Sequence, residues 1–226
     1  MKLNNLIFAH RGIFDNEKIP ENSILAFTKA INNKKNIELD IQMTKDKKIV
    51  VFHDYNLKRM CNIEKNISDL TYDELNKINL LNTKEKIPTF EEVLKLVDGK
   101  VLLNIEIKNS KKYKEMCLLI TDILDNYKHP FIIQSFYPNI LKWFNKNKSN
   151  YTKGLLLNLK KNNRLTDKLL IFYCKPDFLS ISKHIANNKF YFKHHVFIWT
   201  IKNIEEFNKY KQYTTNLICN NLPYEK

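Results

Sequence analysis

Glycine occurs only three times in 226 residues, and proline six times. A chain so poor in both is not collagenous, linker-rich or disordered, because those states are built from them. Its length and 43% hydrophobic content suit one sizeable domain and are too little for two of ordinary size. No stretch approaches the roughly 20 uninterrupted apolar residues of a membrane helix. The opening MKLNNLIFAHRG has one lysine and a four-residue apolar patch. It lacks the roughly 7–15-residue apolar core and small-residue cleavage site of a secretory leader. Arginine is scarce as well, present only as Arg11, Arg59 and Arg164, so the formal charge of +14 is almost all lysine. Positive charge concentrates anionic ligands, but the arginine fork that reads base edges has little material here. Nucleic acid is therefore not the expected partner. Cys61, Cys117, Cys174 and Cys219 are widely spaced, with no C-x-x-C pair and no histidine at zinc spacing. Isolated thiols suit a reducing compartment, and the cytoplasm is the expected location.

What the chain does have is alternation. Strand-like runs fall near 5–11, 36–43, 101–108, 130–136, 151–157, 177–182, 195–201 and 216–220. Helical patterns near 22–33, 89–97, 112–127, 139–148, 163–173 and 203–212 separate them. Eight such units predict an α/β fold of the (β/α)8 TIM-barrel type, for which about 250 residues is usual. An open doubly wound sheet is the competing architecture, but its Gly-rich phosphate turn is absent. Asn22, Asn139 and Asn203 are candidate helix caps, and Thr71 with Glu74 and Thr89 with Glu92 have capping-box spacing.

One segment interrupts the pattern. Thr44–Lys48 separates the strand at 36–43 from a second β run, Ile49–Asp54, and five polar residues cannot hold a crossover helix. A hairpin folded about Asp46-Lys47 would set His53 opposite Asp40. Residues 55–87 then read as a small insertion after the second strand of a single domain spanning 1–226.

In 37–43, Glu38, Asp40 and Gln42 share one strand face while Ile37, Leu39, Ile41 and Met43 share the other. In 104–108, Asn104, Glu106 and Lys108 likewise oppose two isoleucines. A half-wet antiparallel strand produces such alternation routinely. In a barrel, however, the polar face points inside, and Glu38, Asp40 and Glu106 converge at the C-terminal mouth. Two carboxylates about 4 Å apart repel by about 4 kcal/mol at an effective dielectric of 20. Lys108 cannot balance three of them, so a divalent metal is expected, and oxygen-only ligands favour Ca²⁺ or Mg²⁺ over zinc. His10 and His53 close strands near the same place, where imidazole suits general acid and base work. Arg11 can clamp a phosphate, and Gly12 allows a sharp turn after it.

With His10-Arg11-Gly12, Pro20-Glu21-Asn22-Ser23, Glu38-Leu39-Asp40, Phe52-His53-Asp54 and Glu106-Ile107-Lys108 in order, the chain resembles the glycerophosphodiester phosphodiesterase family. Ser135-Phe136, Trp199-Thr200 and the closing 218–223 agree more loosely. The resemblance implies a TIM-barrel enzyme that splits a glycerophosphodiester into glycerol 3-phosphate and an alcohol. It implies His10 and His53 as acid and base, and Glu38, Asp40 and Glu106 as metal ligands. Arg11 and Lys108 would steady the phosphate, and Phe136 and Trp199 would wall the substrate cleft. The expected chemistry runs through a cyclic phosphate, with the order of the two histidines open. Three departures stand out: a short insertion without a glycine turn, Ser23 for threonine, and Asn220-Asn221 where an acidic residue is frequent. A lysophospholipase D working by peripheral membrane contact is the alternative, ranked lower because no amphipathic basic helix stands out. A non-enzymatic nucleic-acid binder is the third reading and leaves the inward carboxylates unexplained.

Overall fold

Strand faces that alternate between apolar and polar residues close here into a barrel. The computed structural model describes residues 2–158 and 164–220. Its first half runs β1 (Ile7–His10), α1 (Ile24–Asn32), β2 (Asn36–Met43), β3 (Ile49–Val51), α2 (Lys58–Cys61), α3 (Tyr72–Leu75), α4 (Phe90–Val97) and β4 (Leu103–Ile107). Then follow α5 (Tyr113–Asn126), β5 (Phe131–Ser135), α6 (Pro138–Asn147), β6 (Lys153–Leu157), α7 (Arg164–Cys174), β7 (Phe178–Ser182), β8 (Val196–Ile201), α8 (Ile204–Lys211) and β9 (Leu217–Cys219). All but β3 pair in parallel, in the order β1-β2-β4-β5-β6-β7-β8-β9, and β9 returns to β1. This is a (β/α)8 barrel. No described helix is long and apolar enough to cross a membrane, and no disulfide joins the four cysteines.

Apolar outward faces of the strands pack against the helices. Ile37, Leu39 and Ile41 of β2 and Ile105 and Ile107 of β4 share a cluster with Phe27, Val93 and Ile120. Inside the barrel an aromatic plug forms from Phe8, Phe178 and Phe197, with ring centroids 5.8 Å (Phe8–Phe197) and 5.0 Å (Phe178–Phe197) apart. Ile132 and Ile218 complete it. The strand period of two then sets what lies above. Two residues on from Phe8, Ile132 and Phe197, on the same faces, stand His10, Gln134 and Trp199. On β6 the plug leaves no room for a side chain, since a Cβ at Gly154 would lie 2.1 Å from the Phe178 ring.

The hairpin forms, but one residue out of the expected register. Ile41 pairs with Val51 and Met43 with Ile49, so Phe52, whose N–H donates to the Asp40 carbonyl, sits beside Asp40 in place of His53. The reason is the turn. Thr44 and Lys48 close a three-residue loop with Lys47 at φ +69°, whereas a two-residue turn at 46–47 would shift the pairing by one. The paired part of the second run ends at Val51.

Both capping boxes are present, and Asn203 caps α8. Two expected caps are not. Ser23 caps α1 by accepting from the Ala26 N–H, which releases Asn22 for another task, and α6 begins at Pro138 with Asn139 already inside it. Within 55–87, Leu57, Met60, Ile67, Leu70, Leu75, Leu80 and Ile87 build a separate small core against Val50 and Phe52 of the hairpin. Residues 221–223 of the closing motif and residue 163 of the expected helix lie outside the described residues.

Candidate active site

Parallel register places the carboxylates. Asp40 pairs with Glu106 across β2–β4, and His10 with Glu38 across β1–β2. Glu38, Asp40 and Glu106 are all buried, and each offers an oxygen within 4.8 Å of the others. Lys108 Nζ bridges two of them, 2.8 Å from Asp40 Oδ1 and 2.6 Å from Glu106 Oε1. Arg11 Nε lies 3.3 Å from Asp40 Oδ2, and Asn22 Nδ2 donates to that same oxygen at 2.9 Å.

These contacts divide the three acids. Burial opposes ionisation of Asp40, but the charges of Lys108 and Arg11 outweigh it and hold Asp40 well below the usual carboxylate range. At Glu38 the same two cations act but are outweighed. Its side-chain contacts are the Arg11 backbone N–H at 3.2 Å, the Gln134 amide at 3.4 Å and, further off, His10 Nε2 at 4.0 Å. Burial and then the charges of Asp40 and Glu106 push its carboxyl well above the ordinary value. Ionising Glu38 beside Asp40 and Glu106 therefore calls for added positive charge facing the cavity, and three oxygen donors suit a hard divalent ion.

Both sequence-predicted histidines reach this cavity. It encloses about 90 Å³ and is lined by His10, Arg11, Glu38, His53, Glu106, Phe136 and Trp199, among others. His10 Nδ1 donates to Asn220 Oδ1 at 2.7 Å, which leaves Nε2 with the free lone pair. Burial and then the neighbouring Arg11 charge lower its pKa to about 3, so the ring is neutral. His53 Nδ1 donates to Asp54 Oδ1 at 2.7 Å. Phe136 and Trp199 meet edge to face, with centroids 5.6 Å apart, and the Trp199 indole N–H is held by the Ser180 carbonyl. Asp40 and Lys108 do not line the cavity. They stand behind it, engaged with each other.

Sequence reasoning assigned no role to the residues that hold these groups. Asp54 accepts from Arg59 Nε at 2.7 Å, and Arg59 grips Glu21 with both terminal nitrogens, at 2.7 and 3.0 Å. Glu21 also accepts from Arg11 at 2.6 Å. A continuous chain of charges therefore joins His53 to Arg11 through a residue of the insertion. Glu21, Asn22 and Asp54 lie within the short motifs, so their neighbours signalled them. Arg59 and Gln134 carried no such signal.

The family model for glycerophosphoryl diester phosphodiesterases matches residues 10–223. The chain belongs to that family. It is 34% identical over 152 residues to a Bacillus altitudinis glycerophosphodiester phosphodiesterase, covering 62% of this chain and 61% of that protein. The chain thus spans about three fifths of that relative's length. The Thermotoga maritima glycerophosphodiester phosphodiesterase structure superposes with a TM-score of 0.78 at 27% identity, over 96% of this chain and 94% of that one. An Oleispira antarctica phosphodiesterase, solved with its product sn-glycerol 3-phosphate, shares the fold with a TM-score of 0.82 at 19% identity, over 96% and 92% of the two chains.

Proposed function

We propose that this protein hydrolyses glycerophosphodiesters to sn-glycerol 3-phosphate and an alcohol. The observation that carries the proposal is the pair of oriented imidazoles, His10 and His53, lining one cavity with Glu38 and Glu106. Family membership and the product named in the Oleispira antarctica structure agree with it.

Glu38, Asp40 and Glu106 would hold the divalent cation, Ca²⁺ or Mg²⁺, and the fit rests on their oxygen-only donors, which lie within 4.8 Å of one another. When bound, such an ion polarises phosphoryl oxygens and offsets developing negative charge. The remaining work falls to the chain itself. His10, neutral and with Nε2 free, accepts the proton of the glycerol 2-hydroxyl as its oxygen bonds to phosphorus. The bond from phosphorus to the alcohol oxygen breaks, and His53 Nε2 gives that oxygen a proton. A cyclic phosphate results. Water then attacks phosphorus, His53 takes its proton, and His10 returns one to the 2-oxygen as the ring opens. Arg11, anchored by Glu21 and Asp40, steadies the phosphate charge from the cavity wall. Lys108 acts one layer further back, by bridging Asp40 and Glu106 and holding both carboxylates in place. Phe136 and Trp199 exclude water from one side. A cytoplasmic setting fits four cysteines that form no disulfide.

The test is a coupled assay for glycerol 3-phosphate release from several glycerophosphodiesters, with and without Ca²⁺ or Mg²⁺. Release that depends on the ion supports the proposal. No release from any diester, with choline freed from lysophosphatidylcholine, would instead make the protein a lysophospholipase D.

A further inference from the structure

Helix α7 has two apolar faces where a surface helix normally has one. Leu170, Ile171 and Cys174 point inward against the barrel core. Leu165, Leu169, Phe172 and Tyr173 point outward, with 67, 62, 78 and 44% of their surface exposed. The spacing i, i+4, i+7, i+8 aligns these four on one outer stripe. Single exposed apolar residues are ordinary on any protein, but four of the nine exposed large apolar side chains among the described residues sit on this one helix.

On α7 and the neighbouring α6, the described charged side chains beside the stripe are lysines. Asp167, the helix's one acidic residue, is turned inward and 2% exposed, accepting a hydrogen bond from the Tyr191 hydroxyl at 2.6 Å. Lys168 and Lys175 are exposed on or beside the helix. From α6, Lys142 lies 4.1 Å above the Tyr173 ring. An apolar stripe rimmed by lysines, on a chain of net charge +14, matches the depth profile of an anionic bilayer, where headgroups meet the ammonium groups and acyl chains meet leucine and phenylalanine. A second copy of the same chain would bring lysine rim against lysine rim. Nucleic acid would leave the apolar stripe uncovered.

We propose that the outer face of α7 is a docking surface for an anionic lipid bilayer. The helix starts just after the C-terminal end of β6, so its Leu165 end lies at the barrel rim that carries the cavity. Docking there holds the rim close to the headgroup layer. Sequence alone hid this face, because the inner and outer apolar positions together give the helix no clear amphipathic pattern.

Co-sedimentation with vesicles tests the proposal. The full chain should pellet with phosphatidylcholine–phosphatidylglycerol vesicles and at least about tenfold less with pure phosphatidylcholine, since both apolar contact and lysine attraction contribute. The double variant Leu169→Ser/Phe172→Ser keeps the net charge. It should lose about tenfold or more of the binding to anionic vesicles while keeping its circular dichroism melt. If it pellets like the wild type, only diffuse charge attracts the protein and the docking face is wrong. Failure of the wild type to pellet overturns it too, as does a dimer in sedimentation velocity that the double variant splits. Should the double variant not fold, Phe172→Trp replaces it. Its emission must shift to the blue on anionic vesicles beyond the background of Trp143 and Trp199, and an unshifted spectrum overturns the proposal.

Discussion

Asn220 Oδ1 lies 2.7 Å from Nδ1 of His10, so the end of the last barrel strand orients an imidazole at the end of the first. The amide's hydrogen bond favours the imidazolium, but burial and the Arg11 charge outweigh it, and a carboxylate in its place would add a full opposite charge. Asn220→Asp should therefore raise the His10 pKa above its present value of about 3. The acidic limb of the kcat/KM profile should move to higher pH by the same shift. Asn220→Ala should leave the ring unoriented and lower kcat by about 10–100-fold, the usual cost of losing an orienting partner. An unchanged pH profile in the aspartate variant would remove His10 from the proton-transfer step.

His10→Ala and His53→Ala should each fold normally and lower turnover by about 10²–10⁴, the usual worth of one acid–base group. Thermal melts by circular dichroism check the fold, and glycerol 3-phosphate release checks the rate. Either variant at near wild-type rate would break the assignment.

Glu38→Gln separates the metal from the fold. It removes a carboxylate that burial and two like charges already disfavour, so metal-free variant protein should melt no lower than metal-free wild type. Adding Ca²⁺ or Mg²⁺ should raise the wild-type melting temperature, by the equivalent of about 2.7 kcal/mol at 100 times Kd. The variant should respond far less. Equal responses from the two proteins would show that the ion binds elsewhere.

Glu21 couples the insertion to acid stability. Burial works against its ionisation, yet hydrogen bonds from Arg59 and the Arg11 charge bring its pKa down from 4.5 to about 2. The ionised form is thus favoured in the folded state. Its stabilisation is fully present above about pH 5 and is lost as pH falls from 4.5 through about 2, with an upper size of about 3 kcal/mol. Urea denaturation of wild type and Glu21→Gln should differ most near neutral pH and converge toward pH 2. A difference that stays constant across this range would mean that Glu21 is not the titrating group.

Much of the architecture was legible because each strand writes its two faces into consecutive residues. Glu38-Leu39-Asp40 and Glu106-Ile107-Lys108 state which side chains point inward before any neighbour is known. The caps at Thr71, Thr89 and Asn203 are equally local, since a side-chain oxygen and an N–H three residues on form the whole device. The hairpin register was not legible, because one residue more or less in the turn changes every pairing while the composition stays the same. Asn22 shows the same limit. It and Ser23 are both good caps, and only the approach of Asp40 decides which of them caps the helix and which turns to the carboxylate.

By itself, then, the sequence determined the alternation of strands and helices, the hairpin, and which polar residues a closed barrel would turn inward. These follow from interactions within a few residues. The tertiary structure alone decided that Lys108 serves Asp40 and Glu106 from behind the cavity. It also decided that Arg59 reaches from the insertion to Glu21 and Asp54, that Asn220 orients His10, and that α7 leaves an apolar stripe facing outward. Each depends on groups far apart in the chain whose meeting is set by closure of the barrel and packing of its helices, and no local pattern encodes that distance.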